Sequence, residues 1–208
     1  MVLFFAVAAG LLVGFLLGGS TAGFGVARFR YLPLLMVALA VQVLIFTPLM
    51  GQMAFIHRIG PYLYMISTLI TLFVLFKNLH IPGLSIILIG AVLNAVVIFA
   101  NGGFMPTRAE LLDEAGRLEN VQQSEEAAAS GERLTHTNSV IADDDTRLYF
   151  LGDTIAIPQR VPLSNVISIG DILIAIGAAV ATARVMRLKP EPEDDARANV
   201  GEQQSVSG

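Results

Sequence analysis

Long apolar runs separated by short polar gaps dominate the first half of the chain: Val2–Gly19, Tyr31–Met50, Pro61–Phe76 and Pro82–Ala100. From Met1 to Gly103 there are only four Lys or Arg residues, Arg28, Arg30, Arg58 and Lys77, and all four stand in the gaps. A bilayer's hydrocarbon core, roughly 30 Å thick, takes about 20 apolar residues per helical span, and the runs come close to that length. A fifth stretch, Val161–Ala183, is broken by one charge, Asp171. The pattern predicts an all-α fold, a polytopic transmembrane helix bundle of about five spans with an extracytoplasmic insertion. Residues 1–101 form a four-span region, 102–160 an outer loop with a short amphipathic helix, and 161–189 the fifth transmembrane helix. Residues 190–208 have almost nothing apolar to bury and are expected to be a disordered tail.

Lys and Arg in short gaps set the orientation of a bundle. Arg28 and Arg30 follow the first span, Lys77 the third, and Arg184, Arg187 and Lys189 the fifth. Five spans put all six on one side. Read as cytoplasmic charge, they place the N-terminus outside, the C-terminus inside and the Gly102–Arg160 connection outside. The first run is not read as a cleaved signal peptide, because Met1–Ala27 carries no Lys or Arg at its start. Its removal would also put Lys77 and the Arg184–Lys189 cluster on the wrong side.

Within the first run Ala6, Gly10, Gly14 and Gly18 recur every four residues, so they share one helix face. Small residues at that spacing let two backbones approach closely in lipid. Gly10, Gly14 and Gly18 are therefore expected at a helix contact, inside the chain first and at a homodimer seam or another membrane subunit second. The fifth run repeats the device with Asp171, Ala175, Ala179 and Ala183. A charge facing lipid is costly, so an intramembrane Asp turns into the bundle, and the alanine stripe picks out that same face. The fourth run offers Gly90, Asn94 and Asn101 on one face, and both amides are candidates to meet Asp171. Asn101 and Asp171 are expected at matching depth near the outer surface, with Asn94 about 10 Å deeper at 1.5 Å per residue. Such polar contacts are either interhelical hydrogen bonds or part of a binding site.

After Asn101-Gly-Gly-Phe-Met-Pro106, whose glycines and proline end a helix, Thr107–Glu119 reads as a short surface helix. Leu111, Leu112, Ala115 and Leu118 share one side of it, facing the lipid headgroups. Val121–Glu132 is of low complexity and expected to be mobile. His136 and Asp143–Asp145 read as solvated loop. Consecutive carboxylates lack the alternate spacing of a calcium loop, so no metal is assigned. Leu148–Leu151, Gly152, Asp153 and Thr154–Pro158 are expected to fold back over the membrane face and close over the polar cluster.

Composition narrows the field further. Hydrophobic residues make up 54% and charged ones 14% of the 208, against roughly 25% charged in soluble domains. Most of the 17 acidic residues fall after Ala109, outside the spans, and the net charge is −4. No basic patch exists to neutralise a phosphate backbone, so nucleic acid is not an expected partner; the lipid bilayer is. The absence of cysteine removes disulfides and thiolate chemistry. No cofactor is expected.

Asn101-Gly-Gly-Phe-Met-Pro106, Leu151-Gly-Asp153 and Ser168-Ile-Gly-Asp171, taken in order, resemble the recurring pattern of a bacterial membrane family, domain-of-unknown-function family 5317. The resemblance runs over nearly all of Met1 to Lys189. It implies a multi-pass protein of a bacterial plasma membrane and supplies no catalytic residues. The leading reading is a membrane protein whose outer polar cluster, Asn94, Asn101, Asp153 and Asp171, binds a ligand or ion or seats a partner. One alternative is a structural or accessory subunit of a membrane complex. The other is an intramembrane aspartyl-type hydrolase, since Ser168-Ile-Gly-Asp171 is similar to the Gly-x-Gly-Asp sequence of such proteases. Their chemistry needs two carboxylates that share a proton.

Overall fold

The computed structural model describes residues 2–45, 54–119, 121–122, 126, 139–162 and 164–189, with residues 54–58 as backbone only. Seven α-helices lie among the described residues: α1 (Val2–Leu16), α2 (Gly23–Val26), α3 (Leu32–Ile45), α4 (Ala54–Lys77), α5 (Leu84–Ala100), α6 (Ala109–Glu114) and α7 (Ile169–Val185). The protein is mostly helical. Four three-residue strands accompany the helices: β1 (Met105–Thr107), β2 (Ser139–Ile141), β3 (Ile155–Ile157) and β4 (Asn165–Ile167).

The long helices pack in the order α3, α4, α5, α7, α1, so the last helix of the chain stands between the first and the fourth long one. Glycine makes these contacts close. A Cβ on Gly10 would stand 2.6 Å from the Ala179 carbonyl oxygen, and one on Gly14 would meet the Met186 sulfur. On its other side α7 meets α5, with Gly90 against the Gly170 carbonyl and Gly83 against that of Gly177. Since rising numbers on α1 meet rising numbers on α7, and falling numbers on α5, α7 runs parallel to α1 and antiparallel to α5. Gly18 departs from the expected packing stripe. It has φ +77° and no heavy atom within 4 Å of where its Cβ would be, so it turns the chain after α1 and makes no helix contact.

At one end of the bundle, the chain after α1, the α4–α5 turn and the tail of α7 meet. Fully buried Asn78 ties them: its Nδ2 donates to the carbonyls of Arg30 and Val74, both at 2.8 Å, and its Oδ1 accepts from the Arg30 amide at 2.7 Å. Ala27 and Phe29 pack there on Leu75, Ile81, Leu84 and Val185, and the Ser20 amide donates to the Met186 carbonyl at 2.8 Å. The basic residues flanking these segments, Arg28, Arg30, Lys77 and Arg184, therefore share this end.

Among the described residues one helix, Ile59–Lys77, is long and apolar enough to cross a membrane; Val2–Leu16, Leu32–Ile45 and Leu84–Ala100 are apolar but shorter. Two of the expected spans have different limits. Helix α4 begins at Ala54, a turn and more before Pro61, which lies inside it. The fifth run does not enter a helix at Val161: Asn165–Ile167 is strand β4, paired antiparallel with β3, and the helix starts only at Ile169.

The outer segment is not purely helical either. Strand β1 pairs in parallel with β2, and Thr107 forms a further bridge with Asp153. The helix expected over Thr107–Glu119 is broken by a turn: Ala109–Glu114 is helical, as are Leu118 and Glu119. The apolar side packs on protein: Leu112, 2% exposed, Ala115, Val121 and Val166 make a small core, joined by Leu111 and Leu118. Val121, expected in a mobile stretch, belongs to that core. Leu151, in a 3₁₀ turn over Tyr149–Leu151, packs on Val97, Ile98 and Met105 at the end of α5. Arg108 stacks on Tyr149, 4.9 Å from the ring centre. The Asp143–Asp145 run is an exposed turn in which the Asp143 carboxylate accepts from the Asp145 amide and the Thr146 hydroxyl. His136, most of Val121–Glu132 and the tail after Pro190 lie outside the described residues.

Candidate functional site

The start of α7 is fixed by a capping box. Ser168, fully buried, is the N-cap: its hydroxyl oxygen accepts from the Asp171 amide at 3.0 Å, and the Asp171 Oδ2 accepts from the Ser168 amide at 3.1 Å. Two of the helix's unpaired amides are thereby satisfied. The same two side chains reach α5. The Ser168 hydroxyl donates to Asn94 Oδ1 at 2.8 Å, and Asn94 Nδ2 donates to Asp171 Oδ1 at 2.8 Å. The amide has one orientation that fits, because a carboxylate can only accept and must face its NH2. Gly170 permits this ring, since any side-chain carbon there would fall on Asn94 Oδ1.

Asp171 is thus a first-turn residue with both oxygens engaged, not an acid in mid-span. Asn94 meets it, whereas Asn101 does not. The Asn101 amide caps the end of α5 and holds the outer segment, with Nδ2 donating to the Val97 and Arg147 carbonyls and Oδ1 accepting from the Arg147 amide at 2.9 Å. Helix direction explains the difference. With α5 antiparallel to α7, the residue level with the start of α7 is Asn94, and Asn101 lies two turns beyond.

Asp153 enters from the outer segment. Its amide donates to the Pro106 carbonyl at 3.0 Å, which seats it beside β1. Its side chain is 9% exposed and its carboxyl takes no hydrogen bond among the described residues. Burial, and then the Asp171 carboxylate, push its pKa from 3.8 up to about 8, against the opposing pull of Arg117. The Arg117 guanidinium is itself held by Asn165, whose Oδ1 accepts from Nη1 at 2.8 Å.

These groups surround a cavity of about 420 Å³. Asn94 and Asp171 line it from the bundle, and Asp153, Arg117 and Asn165 from the outer segment. Gln42 of α3 and Tyr64, Thr68 and Thr71 of α4 form the facing wall, with Leu72, Ala95, Ile98 and Ile174 between. Next to it the Thr107 hydroxyl is fully buried without a hydrogen-bond partner among the described residues. No three His, Asp or Glu side chains gather as a metal site among the described residues. Of the four expected site residues the cavity unites three, Asn94, Asp153 and Asp171. It adds Ser168 as their organiser and Arg117, Asn165, Gln42, Thr68 and Thr71 as walls. Ser168 had a signal in the sequence, a Ser-x-x-Asp before an apolar run. Gln42, Thr68 and Thr71 had a fainter one, as polar residues inside apolar runs; Arg117, in a loop, and Asn165, at the start of β4, had none, being distant from the rest in the chain.

No match was found among curated proteins or among solved structures. The model of the family described as "Family of unknown function (DUF5317)" matches residues 27–183, from the chain after α1 almost to the end of α7, and so includes every residue of the cavity. With well over half of the 208 residues matched, the chain belongs to this family of unknown function.

Proposed function

We propose that the protein is a multi-pass membrane protein of a bacterial plasma membrane whose polar cavity, at the outer face, binds a small ligand. The observation that carries the ligand reading is Asp153, a carboxyl nine-tenths buried, without a hydrogen-bond partner among the described residues, on the wall of a cavity large enough for a small molecule. Its carboxyl opens on the cavity, where a ligand group would pair it. The membrane reading is supported by the outer surface of the helices. Phe4 is 68% and Leu16 76% exposed, and large apolar side chains such as Leu12, Val37, Val43 and Leu69 are exposed around them. A helix apolar all round and yet uncovered suits lipid, not water. Charge supports the outer placement of the cavity: Arg28, Arg30, Lys77 and Arg184 lie at the other end of the bundle, and such residues favour the cytoplasm.

The hydrolase alternative draws less support, because among the described residues the Asp171 carboxylate is hydrogen-bonded to Asn94 and the Ser168 amide and not to Asp153, the carboxyl with which it would share a proton. The accessory-subunit alternative through α1 would have to use a face other than Gly10 and Gly14, which α7 fills.

Two adjacent residues of α4 test the proposal. Thr68 lines the cavity and Leu69 is exposed on the outside of the helix, and the chain has no native cysteine. In intact cells, a charged, membrane-impermeant thiol reagent is expected to modify Thr68→Cys and to spare Leu69→Cys. Modification of both would place the helix exterior in water and defeat the membrane reading. Modification of neither would mean that no outward-opening cavity exists.

A further inference from the structure

Among the described residues, the charged side chains on the cavity wall are Asp153, Asp171 and Arg117, with no Lys or His beside them. With both acids ionised, the wall carries one uncompensated negative charge. Arg117 offsets the other charge and draws the Asp153 pKa down, while its Nη1 donates to Asn165 Oδ1 and no hydrogen bond joins it to either acid among the described residues. We propose that the cavity is a site for a small organic monocation, an ammonium or a guanidinium, seated between the carboxyl groups of Asp153 and Asp171. This rests on the cavity being a ligand site, and it names the chemical class.

Three observations support it. Asp153, nine-tenths buried on the cavity wall, has no hydrogen-bond partner for its carboxyl among the described residues, and burial with the neighbouring Asp171 carboxylate pushes its pKa up to about 8, so a proton or a cation offsets its charge. A cation entering there displaces that proton to solvent, one for one. Asp171 accepts from two donors, Asn94 Nδ2 and the Ser168 amide, which leaves its remaining lone pairs for a further donor. Finally, about 420 Å³ is far more than a bare metal ion fills and falls in the range of small-molecule sites, roughly 300–1,000 Å³. Gln42, Thr68 and Thr71 line the opposite wall as partners for a polar remainder.

The groups that face Asp153 from its surroundings are Asp171 on α7, Arg117 after α6 and Tyr64 on α4 across the cavity; Tyr149, flanked by Arg108 and Glu110, lies on its outer side. None of these but Asp171 adds negative charge to the cavity wall at neutral pH.

The test uses the full chain in detergent micelles. Ethanolamine, choline and methylguanidinium, as chlorides, are titrated against sodium chloride, ethylene glycol and sodium acetate at equal ionic strength, with binding read by calorimetry and by the unfolding temperature. At least one of the three organic cations is expected to bind, with release of a proton seen as a heat that depends on the buffer's ionisation enthalpy. Well below pH 8 its affinity should rise about tenfold per pH unit, the linkage of a single displaced proton. Asp153→Asn, which imitates the protonated acid, should fold and lose both the binding and the proton release; Arg117→Gln should strengthen binding. Failure of all three cations to exceed sodium chloride, or equal binding by Asp153→Asn, would overturn the inference. If ethylene glycol or acetate binds instead, the cavity is a ligand site of another class; if no probe binds and Thr68→Cys is also unreactive, the cavity reading itself falls.

Discussion

At the scale of single residues, the structure redistributes the roles of two acids. Asp171 organises: its carboxylate closes a ring with Ser168 and Asn94 that fixes where α7 begins and how it meets α5. Ser168→Ala removes the cap, worth about 1 kcal/mol, and leaves Asn94 Oδ1 unpaired, about 1–3 kcal/mol more; equilibrium unfolding in micelles should show a loss within that sum. Gly170→Ala should cost about 1–3 kcal/mol by overpacking, because its new carbon falls on Asn94 Oδ1, whereas Gly25→Ala, with open space around it, should stay within about 0.5 kcal/mol. Asp153 is the free acid. Its folded pKa of about 8 lies above the ordinary 3.8, so between these values the folded state binds the extra proton and stability falls as pH rises. Asp153→Asn should flatten that slope and be the more stable protein above pH 8, measured by unfolding temperature across pH. The sequence made Asp171 and Asn94 legible because charge and amides are rare in apolar runs. It hid the isolation of Asp153, which depends on how the outer segment folds back over the bundle.

At the scale of elements, apolar periodicity located the long helices but not their ends. Val161–Ala183 reads as one run because a short buried strand and a buried helix look alike in composition; the break lies at Ser168, where the capping box begins a helix that β4 cannot continue. The outer segment was misread for a related reason. Leu111, Leu112, Ala115 and Leu118 do share a side, but that side is covered by Val121 and Val166 from residues far along the chain, which no local pattern reveals. The glycines of α1 spoke more clearly, since Gly10 and Gly14 mark a face where nothing larger fits. Gly10→Leu should separate α1 from α7, because even its first carbon would stand 2.6 Å from the Ala179 carbonyl. A disulfide between cysteines placed at Ala9 and Val180, both on the groove between these helices, should form far less readily in that variant, as read by gel mobility under oxidising conditions. Undiminished cross-linking would mean that the contact tolerates a side chain there.

At the scale of the whole molecule, a bundle whose outside is apolar carries its polar groups at two ends of opposite kind. One end is basic and tied together through Asn78; the other holds two acids, an amide ring and a cavity roofed by a segment with its own small core. The sequence displayed this polarity in the spacing of six Lys and Arg residues, and could not display the roof, which depends on pairings such as Thr107 with Asp153 across 46 positions of chain. The central claim is that the bundle lies in a membrane with the roofed, acidic end outside. Single cysteines at Phe150, 66% exposed in the outer segment, and at Arg187, exposed just beyond α7, test it most directly when cells are treated with a membrane-impermeant maleimide. Labelling of Phe150→Cys in intact cells, and of Arg187→Cys only after the cells are opened, is the result predicted here. The reverse pattern, or labelling of neither until lysis, would contradict it.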